Sequence, residues 1–390
     1  MPRPTAPFVL LLLLGIAGAV SPAADATPVG GCPLFPSDNV WNTRVDHLPV
    51  AAGSAAWVET IGAAGPLHPD FGSGEWPPGS GAPIGIPFTT VPATQPKVPV
   101  SFLYAEESDP GPYPIPPDAP IEGGPAATGD RHVLVVETGS CALFEMFDAH
   151  PESAGASWSA GSGARFDLGS HDLRPETWTS ADAAGLPILP GLVRYEEVEA
   201  GVIEHALRFT APQTRRAYVW PARHYASSLA GDEYPPMGQR FRLRGDFDLG
   251  GFTPRVRVIL EALQRYGMML ADNGSPWFLS GVPDERWDND ELRQLRQVQG
   301  SDFEAVDVSS LMGDPDSGRA GPPCEGPDTV VVAHVSVTGI AEHHACREVR
   351  VGPGVDVYGP AGRLRLWSAE AVVLEDGVRI FVDGELEAGH

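Results

Sequence analysis

Acid–base chemistry needs ionisable side chains held close together, and two stretches of this chain supply them. Residues 132–137 and 141–148 read as paired strands around a turn at 138–140, which predicts a hairpin. A tight hairpin places the start of its first strand beside the end of its second. Asp130, Arg131 and His132 are therefore expected near Asp148 and His150, a set able to move protons or to hold a cation. The plainer reading is a solvated strand end with an exposed ion pair. Glu145 lies within the return strand, on one face with Leu143 and Phe147. If that face is buried, the charged carboxylate is disfavoured and its pKa rises toward that of a general acid. If it faces solvent, Glu145 is an ordinary surface residue.

In the second stretch, a strand over 203–210 puts His205 in line with Leu207 and Phe209, and Glu204 with Arg208 on the other face. Arg194 and Tyr195 lie upstream, and Trp220 and His224 follow. These residues fit a polysaccharide lyase. Arg208 would neutralise a uronate carboxylate and His205 or Tyr195 would remove the proton beside it. Arg194, Trp220 and His224 would hold the sugar. A glycoside hydrolase would instead use a carboxylate pair that includes Glu145 and Asp148, with His132 and Asp130 nearby. Against both stands the reading of His205 and Trp220 as core residues.

Metal chemistry has weaker signals. His132, His205 and His224 would have to converge without any metal-motif spacing. The acidic group Asp284, Glu285, Asp288, Asp290 and Glu291 would suit Ca²⁺, but it lacks the spacing of a calcium-binding loop and reads equally as a helix start. Asp272 and Asn273 before Gly274 most simply mark a helix end and turn, a catalytic Asp there being an alternative that no pattern supports. The sequence contains no Gly-x-Ser-x-Gly elbow, phosphate-binding loop, dinucleotide fingerprint or His-Glu-x-x-His, which argues against serine hydrolases, nucleotide enzymes and zincins.

Positioning such residues requires a β-rich framework. Among 390 residues there are 45 Gly and 41 Pro without a repeat period, which implies many turns. A short helix is expected over 54–61 and a longer one from Pro254 through Val258, Leu260, Leu263 and Met268, with a polar one over 288–297. Further strands are expected at 216–220 and 239–247. The proline-rich segment 104–125 is excluded from a central ladder. After residue 328 short alternating runs recur every eight to ten residues, as in a small β-solenoid or sandwich.

The net charge is −25, and all but one of the 26 basic residues are arginine, Lys97 being the exception. Such acidity argues against nucleic acid and anionic membranes as partners. Arg3, the apolar run 8–20 and the small residues at 24–26 read as an export signal, too short to span a bilayer comfortably. No later stretch is apolar enough to cross a membrane. Four cysteines in an exported chain suggest two disulfides. Of the three possible connectivities, Cys32–Cys141 with Cys324–Cys346 keeps each pair within one expected domain.

Several phrases occur together: Gly129-Asp-Arg-His132, the segment Gly185-Leu-Pro-Ile-Leu-Pro-Gly-Leu-Val-Arg-Tyr195, His205-Ala-Leu-Arg-Phe209, Trp220-Pro-Ala-Arg-His224 and Tyr266-Gly-Met-Met-Leu-Ala-Asp-Asn-Gly-Ser275. Across about residues 32–311 the chain resembles a group of exported bacterial proteins without an assigned activity. The resemblance implies secretion and one compact domain, and no reaction. The end of the chain resembles the short β-repeat tails of some secreted and surface proteins.

The expected organisation is a signal peptide (1–26), a main β-rich domain (27–311), a linker (312–328) and a small β-repeat module (329–390). The expected fold class is mainly β, a β-sandwich or jelly-roll-like core with a few helices. Two functions remain open: a secreted carbohydrate-active enzyme acting on an extracellular polysaccharide, or a non-catalytic surface protein that binds glycans.

Overall fold

The computed structural model describes residues 27–321 in full and, beyond them, the strands between 329 and 389. The expected signal peptide and the expected Cys324–Cys346 bond lie outside the described residues.

The chain is β-rich with few helices. Its strands are β1 (His68–Asp70), β2 (Phe88–Val91), β3 (Val100–Phe102), β4 (Val133–Glu137), β5 (Ala142–Phe147), β6 (His150–Glu152), β7 (Ser157–Ala160), β8 (Ser162–Asp167), β9 (Leu207–Ala211), β10 (Arg240–Leu243), β11 (Met268–Asn273), β12 (Phe278–Ser280) and β13 (Phe303–Ala305). The helices are α1 (Ser54–Ile61), α2 (Tyr195–Ala200), α3 (Pro254–Arg265) and α4 (Asn289–Leu292). A mixed six-stranded sheet runs in the order β1-β12-β9-β11-β10-β13, a second sheet in the order β2-β4-β5-β8, and a third in the order β3-β7-β6.

The predicted hairpin is present as the antiparallel pair β4–β5, with Leu134 opposite Glu145 and Val136 opposite Leu143. Its sequences, Val-Leu-Val-Val-Glu and Ala-Leu-Phe-Glu-Met-Phe, are apolar at nearly every position because both faces are covered. Leu134, Val136 and Leu143 enter the main core. The alternating Val133, Val135, Phe144 and Met146 enter a second core with Tyr113, Ile115 and Trp158.

Helix α3 follows from its sequence. Pro254 stands at its start, Arg265 in its last turn, and Val256, Ile259, Leu260 and Leu263 are buried along one stripe. It stops before Met268, short of the expected extent. Gly267 adopts φ +65°, and a Cβ there would sit 2.2 Å from the carbonyl oxygen of Phe241. The chain thus turns directly into β11, where Met268–Leu270 are buried. Asp272 and Asn273 therefore end a strand, where the sequence suggested a helix end. Beneath the six-stranded sheet, Trp277 stacks on Phe209 and Phe303 and meets Phe241 edge-on, with its indole N–H donating to Gly62 O at 2.8 Å.

Other expectations shift in extent. The strand expected over 203–210 runs as β9, and that expected over 239–247 shrinks to β10. Residues 216–220 are irregular, with a single bridge from Tyr218 to Met237 in place of the expected strand. The polar helix over 288–297 divides into α4, capped by Asp288, and a 3₁₀ turn at Arg293–Gln297. The first part of the segment read as a linker is bound to the domain. Gly318 O accepts from Val40 N–H, Ala320 N–H donates to Asp38 O, and Met312 bridges Ala320.

The later strands are β14 (Thr329–Val332), β15 (Ser336–Val337), β16 (Ile340–Ala345), β17 (Glu348–Val351), β18 (Asp356–Val357), β19 (Arg363–Ser368), β20 (Ala371–Leu374), β21 (Arg379–Ile380) and β22 (Glu385–Gly389). Each of β14 to β19 pairs in parallel with the strand three places on, giving β14-β17-β20, β15-β18-β21 and β16-β19-β22.

Cys32 and Cys141 form the expected disulfide, joining positions 109 residues apart at the turn end of the β4–β5 hairpin. Closing so long a loop removes much chain entropy from the unfolded state. Replacing both cysteines by Ala is expected to lower the unfolding free energy by about 3–5 kcal/mol. A lower urea midpoint measured under oxidising conditions would show it.

Candidate functional site

Strand register places polar side chains together on one face of the six-stranded sheet. Asp70 of β1 is level with Ser280 of β12, and Phe278 is level with Thr210 of β9, which in turn meets Asp272 of β11 after an irregularity in the ladder. On β9, Arg208 stands two residues before Thr210 and so shares its face. Its Nη1 donates to Ser280 Oγ at 2.5 Å. Leu207 and Phe209 point the other way, into the core.

Arg208 is the centre of this face. Its Nε donates to Asp182 Oδ2 at 2.7 Å, its Nη2 donates to Asp182 Oδ1, and Asp272 Oδ2 lies 3.9 Å from Nη2. Asp182 has no exposed side-chain surface. A planar guanidinium matches a carboxylate through two parallel bonds, which makes the pair directional as well as attractive. Asp182 belongs to the loop 180–189, and that loop touches the second sheet at three further points. Ser180 O accepts from Ser162 Oγ at 2.6 Å, Ala181 O lies 3.1 Å from His132 Nε2, and the N–H groups of Ile188 and Leu189 donate to the Glu145 carboxyl.

His132 immediately precedes β4 and is buried, with Nδ1 2.6 Å from Glu122 Oε2. Glu122 is held in register by its backbone N–H, which donates to His132 O. Burial opposes the charged imidazolium, but the Glu122 carboxylate outweighs it and raises the His132 pKa to about 9. Arg131, with φ +50°, turns away from this group and donates to Ala149 O, Pro125 O and Ala127 O, which shapes the loop before it.

Two adjoining cavities, of ≈ 400 and ≈ 210 Å³, share Asp130, Asp272 and Asn273 and together form a cleft over this face. The larger is flanked by Tyr104, Glu107 and His224, the smaller by Asp70, Glu122 and His132. His224 Nδ1 donates to Ala183 O at 2.7 Å, and its Nε2 lies 3.8 Å from Glu107 Oε2 within the larger cavity. About a fifth of the Asp272 side chain (21%) meets the cleft, yet protein surrounds the carboxyl. That burial, reinforced by Asp182, pushes its pKa to about 7. Burial also raises Asp70, with Glu122 and Asp130 adding to it.

Of the residues singled out from sequence, His132, Asp130, Arg208 and His224 meet at this cleft. The others are placed elsewhere. Asp148 and His150 pair with each other on the surface at 2.8 Å; the hairpin end bonds the Asp148 backbone to Asp130 but leaves both side chains outside the cleft. His205 is buried, bonded through Nε2 to Glu197 and through Nδ1 to Ala206 O, and does not converge with His132 and His224. Arg194 is bound to the same Glu197 and to Thr27 O. Tyr195 packs edge-on to Trp287 beneath the Arg286 guanidinium. Trp220 lines a different cavity, of ≈ 560 Å³, with Trp57, and donates to Ser317 O. The acidic group considered for Ca²⁺ is engaged locally: Asp284 pairs with Arg286, Asp288 caps α4, Asp290 pairs with Arg293 and Glu291 with Arg255.

Sequence reasoning missed Asp70, Glu122 and Asp182, and it weighed Asp272 only as the lesser alternative to a helix end. Asp70 ends a strand of three residues, Glu122 and Asp182 lie in aperiodic loops, and Asp272 precedes an Asn-Gly pair that imitates a turn.

Glu145 is wholly buried behind the cleft, and burial raises its pKa to about 7 while the Ile188 and Leu189 N–H groups pull it back down. A raised folded-state pKa contributes stability that is complete below the ordinary value of 4.5 and is lost as the pH rises through about 7. The loss expected across that interval is roughly 3 kcal/mol. Glu145→Gln keeps a carbonyl acceptor and cannot titrate. Urea denaturation between pH 4.5 and pH 8 should show a flatter stability profile for Glu145→Gln than for the parent.

No protein-family model, no curated protein and no solved structure matches this chain.

Proposed function

We propose that this is an exported glycan-active enzyme of the hydrolytic kind, working in the cleft with Asp272 as general acid and His224 as general base. The observation that carries the reading is the position of Asp272, a partly exposed carboxyl beside both the buried Arg208–Asp182 pair and the shared wall of the two cavities. A carboxyl with a pKa near 7 is protonated often enough at neutral pH to donate to a leaving oxygen. His224 has the complementary arrangement: its Nδ1–H is fixed on Ala183 O, which puts the lone pair on Nε2, and Glu107 at 3.8 Å from Nε2 would stabilise a proton received there from water.

Charge narrows the substrate. Asp70, Glu107, Glu122, Asp130, Asp182 and Asp272 surround the cleft, and its guanidinium is committed to Asp182 and Ser280. A uronate would be repelled, so elimination beside an acidic sugar is disfavoured and a neutral or amine-bearing glycan suits the wall. Export is supported by the apolar N-terminal run and by the disulfide. The three sets of every-third parallel strands suit a short β-solenoid at the end of the chain. The second sheet, whose β4–β5 pair is covered by an apolar core on each face, suits a sandwich-like core.

A specific feature also favours binding without turnover. Tyr104 is 52% exposed at the cleft rim and Leu103 beside it is 76% exposed, a surface on which a sugar ring can stack.

The test is release of reducing ends from neutral and amino-sugar polysaccharides by the purified chain, compared with Asp272→Asn. The expected result is cleavage by the parent and a kcat lower by about 10²–10⁴-fold in the variant, with KM little changed. Unaltered turnover in Asp272→Asn would exclude this assignment of the acid. Glycan binding without any cleavage, weakened by Tyr104→Ala, would instead support a binding protein.

A further inference from the structure

The geometry points to a site for one divalent transition-metal cation at Glu122, Asp130 and His132, on the wall of the smaller cavity. One ligand atom from each of these residues lies within 4.8 Å of the other two. The three come from two chain segments brought together by the backbone bond between Glu122 and His132. One imidazole nitrogen with two carboxylates suits Mn²⁺ or Zn²⁺, whereas Ca²⁺ and Mg²⁺ prefer oxygen alone.

A second observation concerns the orientation of His132. Its side chain is only 1% exposed, and its Nε2 is aimed at the carbonyl oxygen of Ala181 at 3.1 Å. A carbonyl can only accept, so Nε2 carries the hydrogen, and Nδ1 is the nitrogen turned toward Glu122 and Asp130. Metal-binding histidines show this arrangement, with the far nitrogen donating to a backbone carbonyl that fixes both tautomer and ring plane. The cation would take the place of the proton between Nδ1 and Glu122 Oε2, now 2.6 Å apart, with a small opening of that contact. The ion has room on the open side, because Asp130 is exposed and the three residues line a cavity of ≈ 210 Å³. Asp70 lines the same cavity and adds a further carboxylate to its wall.

Binding can be read without any substrate, so its outcome is separate from that of the hydrolase reading. The full chain, stripped with a chelator and dialysed, would be titrated with MnCl₂ and with ZnCl₂ by calorimetry, and bound Mn²⁺ counted by electron paramagnetic resonance. One ion per chain is expected for at least one of the two metals. Asp130→Asn, which alters an exposed side chain, should weaken that binding at least tenfold, as loss of a ligand does. Glu122→Gln should do the same where it folds, and Asp290→Asn, in the acidic group near α4, should leave it unchanged. Absence of binding for both metals, binding that survives Asp130→Asn, or equal weakening by Asp290→Asn would each overturn the site.

Discussion

The ion pair between Arg208 and Asp182 is the constraint around which the domain is arranged. Both groups are removed from water, and a buried charge deprived of its partner costs on the order of 3–5 kcal/mol. Asp182 therefore cannot leave Arg208, and the loop 180–189 is fixed to the six-stranded sheet. From that anchor the loop reaches the second sheet through Ser162, His132 and Glu145. Two sheets without a shared strand pack on a common apolar core and are bridged by this polar loop. The cleft lies beside that bridge.

The same anchor sets the electrostatics. Arg208 supplies positive charge beneath a wall of carboxylates, and its two bonds to Asp182 leave Asp272 as a more distant neighbour at 3.9 Å. Asp272 thus receives incomplete compensation for burial, whereas Glu122 has His132 in direct contact. Carboxylates a few residues apart in space hold their protons to different degrees for this reason.

The parts of the fold that were legible in the sequence are those where periodicity meets burial. The β4–β5 hairpin, α1 and α3 follow from spacing, and the Cys32–Cys141 bond followed from grouping the cysteines by domain. Glu145 was placed on the correct strand, but alternation could not say which face was covered; in fact both are. The site was half legible. His132, Asp130, Arg208 and His224 stood out by type. The carboxylates that complete it did not, because loop residues have no period and nothing in the spacing marks their partners, which lie 10 and 26 positions away for Glu122 with His132 and Asp182 with Arg208. His205 misled because a strand pattern cannot reveal a partner such as Glu197 on a preceding helix.

The doubly covered hairpin carries one more implication. Successive residues of β4 and β5 belong to different cores, so neither core can be dismantled while the other keeps its packing intact. An intermediate with one half folded would expose a row of Val, Leu and Phe side chains on a single ladder. The two halves should therefore melt as one cooperative unit. The amides of Val133–Glu137 should then exchange with solvent water only when the whole domain opens.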